Sequence, residues 1–281
     1  MRERRLLALA LTLLPLAGAA APRVLVICAP GYPGTTAQAK PVMDAFAAAS
    51  ERAAGWPAGS LRAVYHEKME PGFARLAQDD AALALVPLPF YLQHAQALKL
   101  VPRLQVVRAS GASETWSLVA KKGAVRSAAS LAGWEVAGSP AYAPAFVRGP
   151  VLGAWGALPP SATLKFAPAI LSALRRAAAG ENVAVLVDAA QSSALASLPF
   201  AADLETVYRS KPLPGTLLCS VGDRGKGPGI EALLKALPTL NEKPEGEEVL
   251  KTMQMVRFER ADLGAIEAAR KAFAAAAEPP K

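Results

Sequence analysis

Phe73-Ala74-Arg75-Leu76-Ala77-Gln78-Asp79-Asp80-Ala81-Ala82-Leu83-Ala84-Leu85-Val86-Pro87-Leu88-Pro89-Phe90-Tyr91 holds the fold in miniature. Phe73 and Leu76 stand at i and i+3, the spacing of one helix face, so a short helix is expected over 70–78. Gln78-Asp79-Asp80 ends it in polar residues. Residues 82–86 then run apolar without alternation, the pattern of a strand covered on both faces. A Pro-Leu-Pro loop leads into Phe90, Tyr91 and a further helix over 90–98. Helix, strand, loop and helix in that order make the unit of a helix-covered α/β sheet.

The same unit repeats in both directions. Upstream come an apolar strand over 23–28, a Gly/Pro loop over 29–34, a helix over 37–54 with Val42, Phe46 and Ala49 on one face, and a strand over 61–65. Downstream, a strand over 104–108 meets the Ser110-Gly111 break, and 115–120 continues extended. A second series follows, with strands over 134–137, 163–166 and 183–187 and helices over 144–155 and 168–179. Arg176-Ala177-Ala178-Ala179-Gly180-Glu181-Asn182 before Val183–Val187 echoes the polar stop before 82–86, and Asp188-Ala189-Ala190-Gln191-Ser192 echoes the loop after it. Strands over 204–208 and 216–221 then flank Lys211-Pro212-Leu213-Pro214-Gly215, and helices are expected over 229–237 and 262–276.

Too little chain remains after residue 210 for a third domain, so the tail is expected to return to the first lobe. Lobe I then comprises 22–112 with 214–281, and lobe II comprises 113–213. Two crossovers, near 110–115 and 209–215, make a hinge beside an interlobe cleft.

Residues 1–21 read as a secretory signal peptide. Arg2, Arg4 and Arg5 precede an apolar run over 6–16, and small residues with two A-x-A sites close it. The mature chain is therefore expected to be extracytoplasmic, periplasmic and soluble. Ile27 precedes Cys28 where a lipid anchor needs a small residue, so no tether is expected. Cleavage lowers the formal net charge from +8 to +6, and the remaining Lys and Arg are scattered without aromatic platforms, which argues against nucleic acid. His66 and His94 lie in no metal-ligand spacing, and neither a G-x-S-x-G elbow nor a phosphate-gripping Gly-Lys-Ser/Thr loop occurs. No enzyme activity, cofactor or metal is expected.

Three stretches resemble the phosphate/phosphite/phosphonate-binding branch of the substrate-binding proteins of ABC importers, with their type II periplasmic-binding fold. They are 73–86 with Phe90-Tyr91-Leu92, then Ser130-Leu131-Ala132-Gly133-Trp134-Glu135-Val136-Ala137-Gly138-Ser139-Pro140, and Val256-Arg257-Phe258 leading to Ala261–Ile266. Their order fits nearly the whole mature chain. The resemblance implies a monomer that closes its lobes around a small, anionic ligand and delivers it to ABC permease transmembrane subunits. A sensory or scaffold protein of the same fold is the alternative. The family's strand order places another strand between those of Cys28 and Cys219, about 9–10 Å apart, so both thiols are expected to be unpaired. Phosphonate binders of the family commonly carry a Ser-Thr-Ser-Gly loop after the Ser-Pro, whereas this chain has Ala141-Tyr142-Ala143-Pro144.

The expected cleft is bounded by 30–36, 87–91, 113–116 and 139–143 with Asp188 nearby, because ligands sit beyond the carboxyl ends of parallel strands. Tyr32, Thr35 and Thr36 follow the first strand, and turn or N-cap chemistry accounts for them equally. Phe90 and Tyr91 are neighbours that cannot share a helix face, so at least one is expected in the core. Glu114, Thr115 and Trp116 stand at the first crossover, Trp116 as cleft wall or lobe anchor. Asp188 ends an apolar strand and is either a polar contact to a ligand hydroxyl or ammonium or a helix N-cap, with Gln191 and Ser192 as weaker candidates. Few Lys or Arg lie near these loops. Backbone amides, Ser139, Thr35, Thr36 and Tyr142 are then the expected donors to an oxyanion, with Tyr32, Tyr91 or Trp116 stacking on any apolar body.

Overall fold

The computed structural model describes residues 21–32 and 34–277, so the signal-peptide reading of 1–21 falls almost wholly outside the described residues. The first series runs β1 (Arg23–Cys28), α1 (Thr36–Ala54), β2 (Leu61–His66), α2 (Met69–Leu76), β3 (Ala81–Pro87), α3 (Leu88–Leu98) and β4 (Leu100–Val107). β5 (Ser113–Glu114) crosses to a second series of β6 (Ser117–Lys121), β7 (Glu135–Gly138), α4 (Pro144–Phe146), β8 (Thr163–Phe166), α5 (Leu171–Ala178), β9 (Val183–Val187), α6 (Ala189–Ala194) and β10 (Leu204–Arg209). β11 (Leu213–Pro214) crosses back to β12 (Thr216–Val221), α7 (Pro228–Ala236), α8 (Pro244–Thr252), β13 (Arg257–Arg260) and α9 (Leu263–Ala277).

Two sheets result, one of six strands in the order β13-β4-β12-β3-β1-β2 and one of five in the order β10-β6-β9-β7-β8. β5 and β11 pair antiparallel between them, Glu114 opposite Leu213, which is the double crossover. The sheets are mixed rather than wholly parallel. β1 is parallel to β2 and β3, and β7 to β8 and β9, but β12 runs antiparallel to β3 and β6 antiparallel to β9. The reason is the crossover itself. A strand entered from the hinge starts at the cleft edge and must run away from it.

Every residue of β3 and of β12 is buried, because both strands are central and covered on both faces. Phe46 packs on Phe258 on one face of the six-stranded sheet. On the other face a single buried cluster continues from Val24, Val86 and Leu217 through Trp116 to Phe146, Val147 and Leu186 of the second series. Each fully buried Leu or Phe of this kind contributes roughly 1.5–3 kcal/mol. Cys28 and Cys219 are buried free thiols on β1 and β12, with β3 between them, and burial pushes the Cys28 thiol up to about 12.

Local departures from the sequence reading have identifiable causes. The helix expected over 144–155 is α4 followed by a π-helical turn over Val147–Val151, where Pro150 interrupts regular hydrogen bonding. α8 was not anticipated, since it presents no long apolar stripe, and α6 is the helix that the N-cap alternative for Asp188 requires. α6 has no buried residue, and its start is fixed by a cap instead. Among the described residues no helix is long and apolar enough to cross a membrane.

Candidate functional site

A cavity of about 470 Å³ lies between the two sheets. It opens where β1, β3, β7 and β9 end and where β6 and β12 begin. Tyr32, Trp116, Ser139, Tyr142 and Asp188 line it, with Glu114 and Gln191, so elements far apart in sequence meet there. All four segments expected around the cleft contribute some residues to this wall.

Thr35, Thr36 and Tyr91 do not line it, which corrects the sequence reading. Thr35 is the N-cap of α1 in a capping box with Gln38. The Thr36 backbone N–H and hydroxyl both bond the Glu67 carboxylate, at 3.1 and 2.7 Å. Tyr91 is buried on the far side of α3, near Cys219, Glu267 and Arg270. Both it and Phe90 are in the core. Ser192, one of the weaker candidates, is also outside the cavity.

The more consequential miss is Arg108. It is the one cationic side chain among the lining residues, held just past the end of β4. Its guanidinium carbon lies 5.4 Å from the centre of the Tyr32 ring, and one Nη donates to the Gln254 carbonyl at 3.3 Å. Gln254 adopts a left-handed conformation (φ 56°), uncommon for a residue with a side chain, and it also lines the cavity. The Ser110-Gly111 break was the available signal. The Arg108 and Gly111 backbones exchange two hydrogen bonds there, a tight reversal that turns Arg108 back toward the cleft.

Two helix N-termini face this cavity and are treated differently. At α6, Asp188 is the N-cap, its Oδ1 accepting from Gln191 N at 2.7 Å, with the Gln191 side chain returning to Asp188 N. Glu114 Oε1 accepts from Ala189 N at 2.9 Å and from Thr115 N at 3.1 Å. Burial, and then Asp188, raise the Glu114 pKa above the ordinary carboxylate value, against the opposing pull of the backbone donors. At α3 the N-cap is Pro87, which has no side-chain acceptor to offer. Leu88 N–H is taken by Gly215 O and Pro89 has none, which leaves the Phe90 N–H as a first-turn donor without an intrahelical partner.

Tyr142 stands beside that Phe90 amide. The Phe90 N–H points at the buried Tyr142 oxygen, the Tyr142 O–H finds no acceptor, and burial pushes its pKa well above the ordinary phenol range. The ring packs edge-on to Phe166, 5.9 Å away. Trp116 and Phe146, edge to face at 6.4 Å, form a further aromatic wall. The lobes already touch at one edge of the cavity. A Cβ on Gly31 (φ +87°) would lie 2.9 Å from Ser139 Cβ, so only glycine fits there. Among the described residues no group of three His, Cys, Asp or Glu is placed to hold a metal ion.

No family model matches the chain, and no curated protein is significantly similar to it. Solved structures are. A Xanthomonas citri protein solved bound to ATP superposes with a TM-score of 0.68 at 15% identity, covering 90% of this chain and 96% of that one. A binding-protein component of an ABC phosphonate transporter from Pseudomonas aeruginosa gives 0.62 at 15%, covering 89% and 85%. This chain has the type II periplasmic-binding fold. PhnD1 from Prochlorococcus marinus, in complex with methylphosphonate, shares that fold at a TM-score of 0.57 and 14% identity over 89% and 98% of the two chains. In the type II fold the space between the lobes is where the two sheets' strand ends meet, which is where the cavity of this chain lies.

Proposed function

We propose that this protein is an extracytoplasmic solute-binding protein that captures a small organic oxyanion, phosphonate- or phosphate-like, between lobe I (22–112 with 214–281) and lobe II (113–213). It passes the ligand to the transmembrane subunits of an ABC importer. The observation that carries the ligand class is the buried Tyr142 hydroxyl, a donor with no acceptor, at the N-terminus of α3, where the N-cap Pro87 supplies no carboxylate. A buried polar group without a partner costs about 1–3 kcal/mol, and a ligand oxygen placed there removes that cost. The helix N-terminus adds partial positive charge, Ser139 a hydroxyl and Arg108 a full cation at the same cavity.

Size and wall chemistry favour an ion with an organic body over a bare tetrahedral anion. About 470 Å³ falls within the range of small-molecule pockets, and Tyr32, Trp116 and Phe146 supply apolar walls. The printed ligand of PhnD1, methylphosphonate, belongs to the proposed class. Thermal-shift screening of the mature protein against phosphate, alkylphosphonates, alkylsulfonates, small carboxylates and neutral sugars tests the reading, with calorimetry on any hit. An alkylphosphonate or phosphate is expected to stabilise the protein. Stabilisation by neutral sugars alone overturns the oxyanion assignment.

A further inference from the structure

The cavity has a second mechanical neighbour. α9 begins where the six-stranded sheet ends. Asp262 N donates to the buried Gln105 side chain of β4 at 3.0 Å, and Asp262 Oδ1 caps Ala265 N at 2.9 Å. Its body packs mainly on α4, on the π-helical turn 147–151 and on β11, with Glu267 and Arg270 beside Tyr91 of α3. The fit to the turn is close. A Cβ on Gly149 would fall 2.2 Å from the Ala272 carbonyl oxygen and 2.9 Å from Ala276 Cβ.

The segment that receives α9 is also the wall of the cavity. Ser139, Tyr142 and Phe146 face the cavity, and Gly149, less than one helical turn further on, faces α9. A rigid-body opening that carries 139–151 away from the six-stranded sheet must either drag α9 or part from it. A groove of about 980 Å³, lined by Gly149, Gly153, Lys211, Ala272 and Ala276, runs along this contact and leaves room for the helix to shift.

We infer that α9 is a third tie between the two lobes, anchored to lobe I through β13, Gln105 and Tyr91 and seated on lobe II at Gly149, and that it limits how far they open. This rests on the two-lobe reading above but needs no ligand. Gly149→Ala removes the seat by steric exclusion. Gly246→Ala is its control, since a Cβ there would meet the Leu240 carbonyl oxygen at 2.0 Å, an equal clash inside lobe I and remote from α9.

Full-length mature variants are compared by hydrogen exchange and small-angle scattering without ligand. Gly149→Ala is expected to speed exchange over 263–277 by about 10-fold or more and to enlarge the radius of gyration, while Gly246→Ala does neither. Ala276→Phe, which crowds the same seat from the α9 side, is expected to reproduce the enlarged radius and serves if Gly149→Ala does not fold. An unchanged radius in both Gly149→Ala and Ala276→Phe overturns the tie, even where α9 exchanges faster. The two-lobe reading fails separately if the amides of the β5–β11 pair exchange only with global unfolding in wild type and every variant.

Discussion

The N-termini of α3 and α6 occupy equivalent places, each following a fully buried strand that ends at the cavity, β3 in one lobe and β9 in the other. Their chemistry is opposite. α6 meets the cavity already neutralised, with Asp188 and Glu114 on its first-turn donors. α3 meets it with no carboxylate from its N-cap, its Phe90 N–H facing a buried hydroxyl that has nothing to donate to. A helix N-terminus is therefore an anion site only where the chain has not supplied its own carboxylate. The difference gives the cavity a polarity, with an electropositive end at α3 and an electronegative end at α6, and Arg108 as its one cation.

The largest expected effect breaks that polarity outright. Arg108→Met is expected to weaken an oxyanion ligand by about 10- to 100-fold in calorimetry, since a hydrogen bond to a charged group contributes roughly 1.5–3 kcal/mol. An unchanged Kd would place the anion away from Arg108.

Tyr142→Phe sharpens the α3 side because its two readouts move in opposite directions. Removing an unsatisfied buried hydroxyl is expected to raise the ligand-free Tm by about 2–4 °C, the shift for roughly 1 kcal/mol in a chain of this size. Affinity for the oxyanion is expected to fall roughly 10-fold at the same time. A lowered Tm with unchanged affinity would show that the hydroxyl has a structural partner instead.

The smallest effect belongs to the α6 side. Glu114→Gln keeps an acceptor for Ala189 N and Thr115 N but removes the charge facing Asp188. The folded-state pKa of Glu114 is raised, so its contribution to stability is fully present below the unfolded pKa, near the ordinary glutamate value of about 4.5, and is lost as pH rises through the folded pKa. The variant is expected to show a flatter decline of stability above about pH 4.5 than wild type and a Tm at pH 7 higher by about 2 °C or less. Parallel pH profiles would mean that burial and Asp188 together do not raise the Glu114 pKa.

Much of this was legible in the sequence, and the particulars show why. The uninterrupted apolar runs of β1, β3 and β9 announce central strands, because only a strand covered on both faces needs no polar side. Ser139, Tyr142, Asp188, Trp116 and Tyr32 could be placed in one cavity because each stands at a strand end or crossover, and topology brings those ends together. Thr35 and Thr36 also follow a strand end, yet local partners claim them, Gln38 in one case and Glu67 in the other. Arg108 was missed because its direction is set by the reversal at Gly111 and by a carbonyl from residue 254, far along the chain.

The sequence by itself determined the α/β series and the two crossovers, since these follow from hydrophobic period and chain length, while the strand order that keeps Cys28 from Cys219 came only with the family resemblance. Only the tertiary structure decided which polar groups remain unspent. Whether Tyr142 donates, whether Asp188 and Glu114 are already engaged, and which lobe α9 rests on depend on what lies within a few ångströms in space. A hydrogen bond is satisfied by proximity rather than by order along the chain.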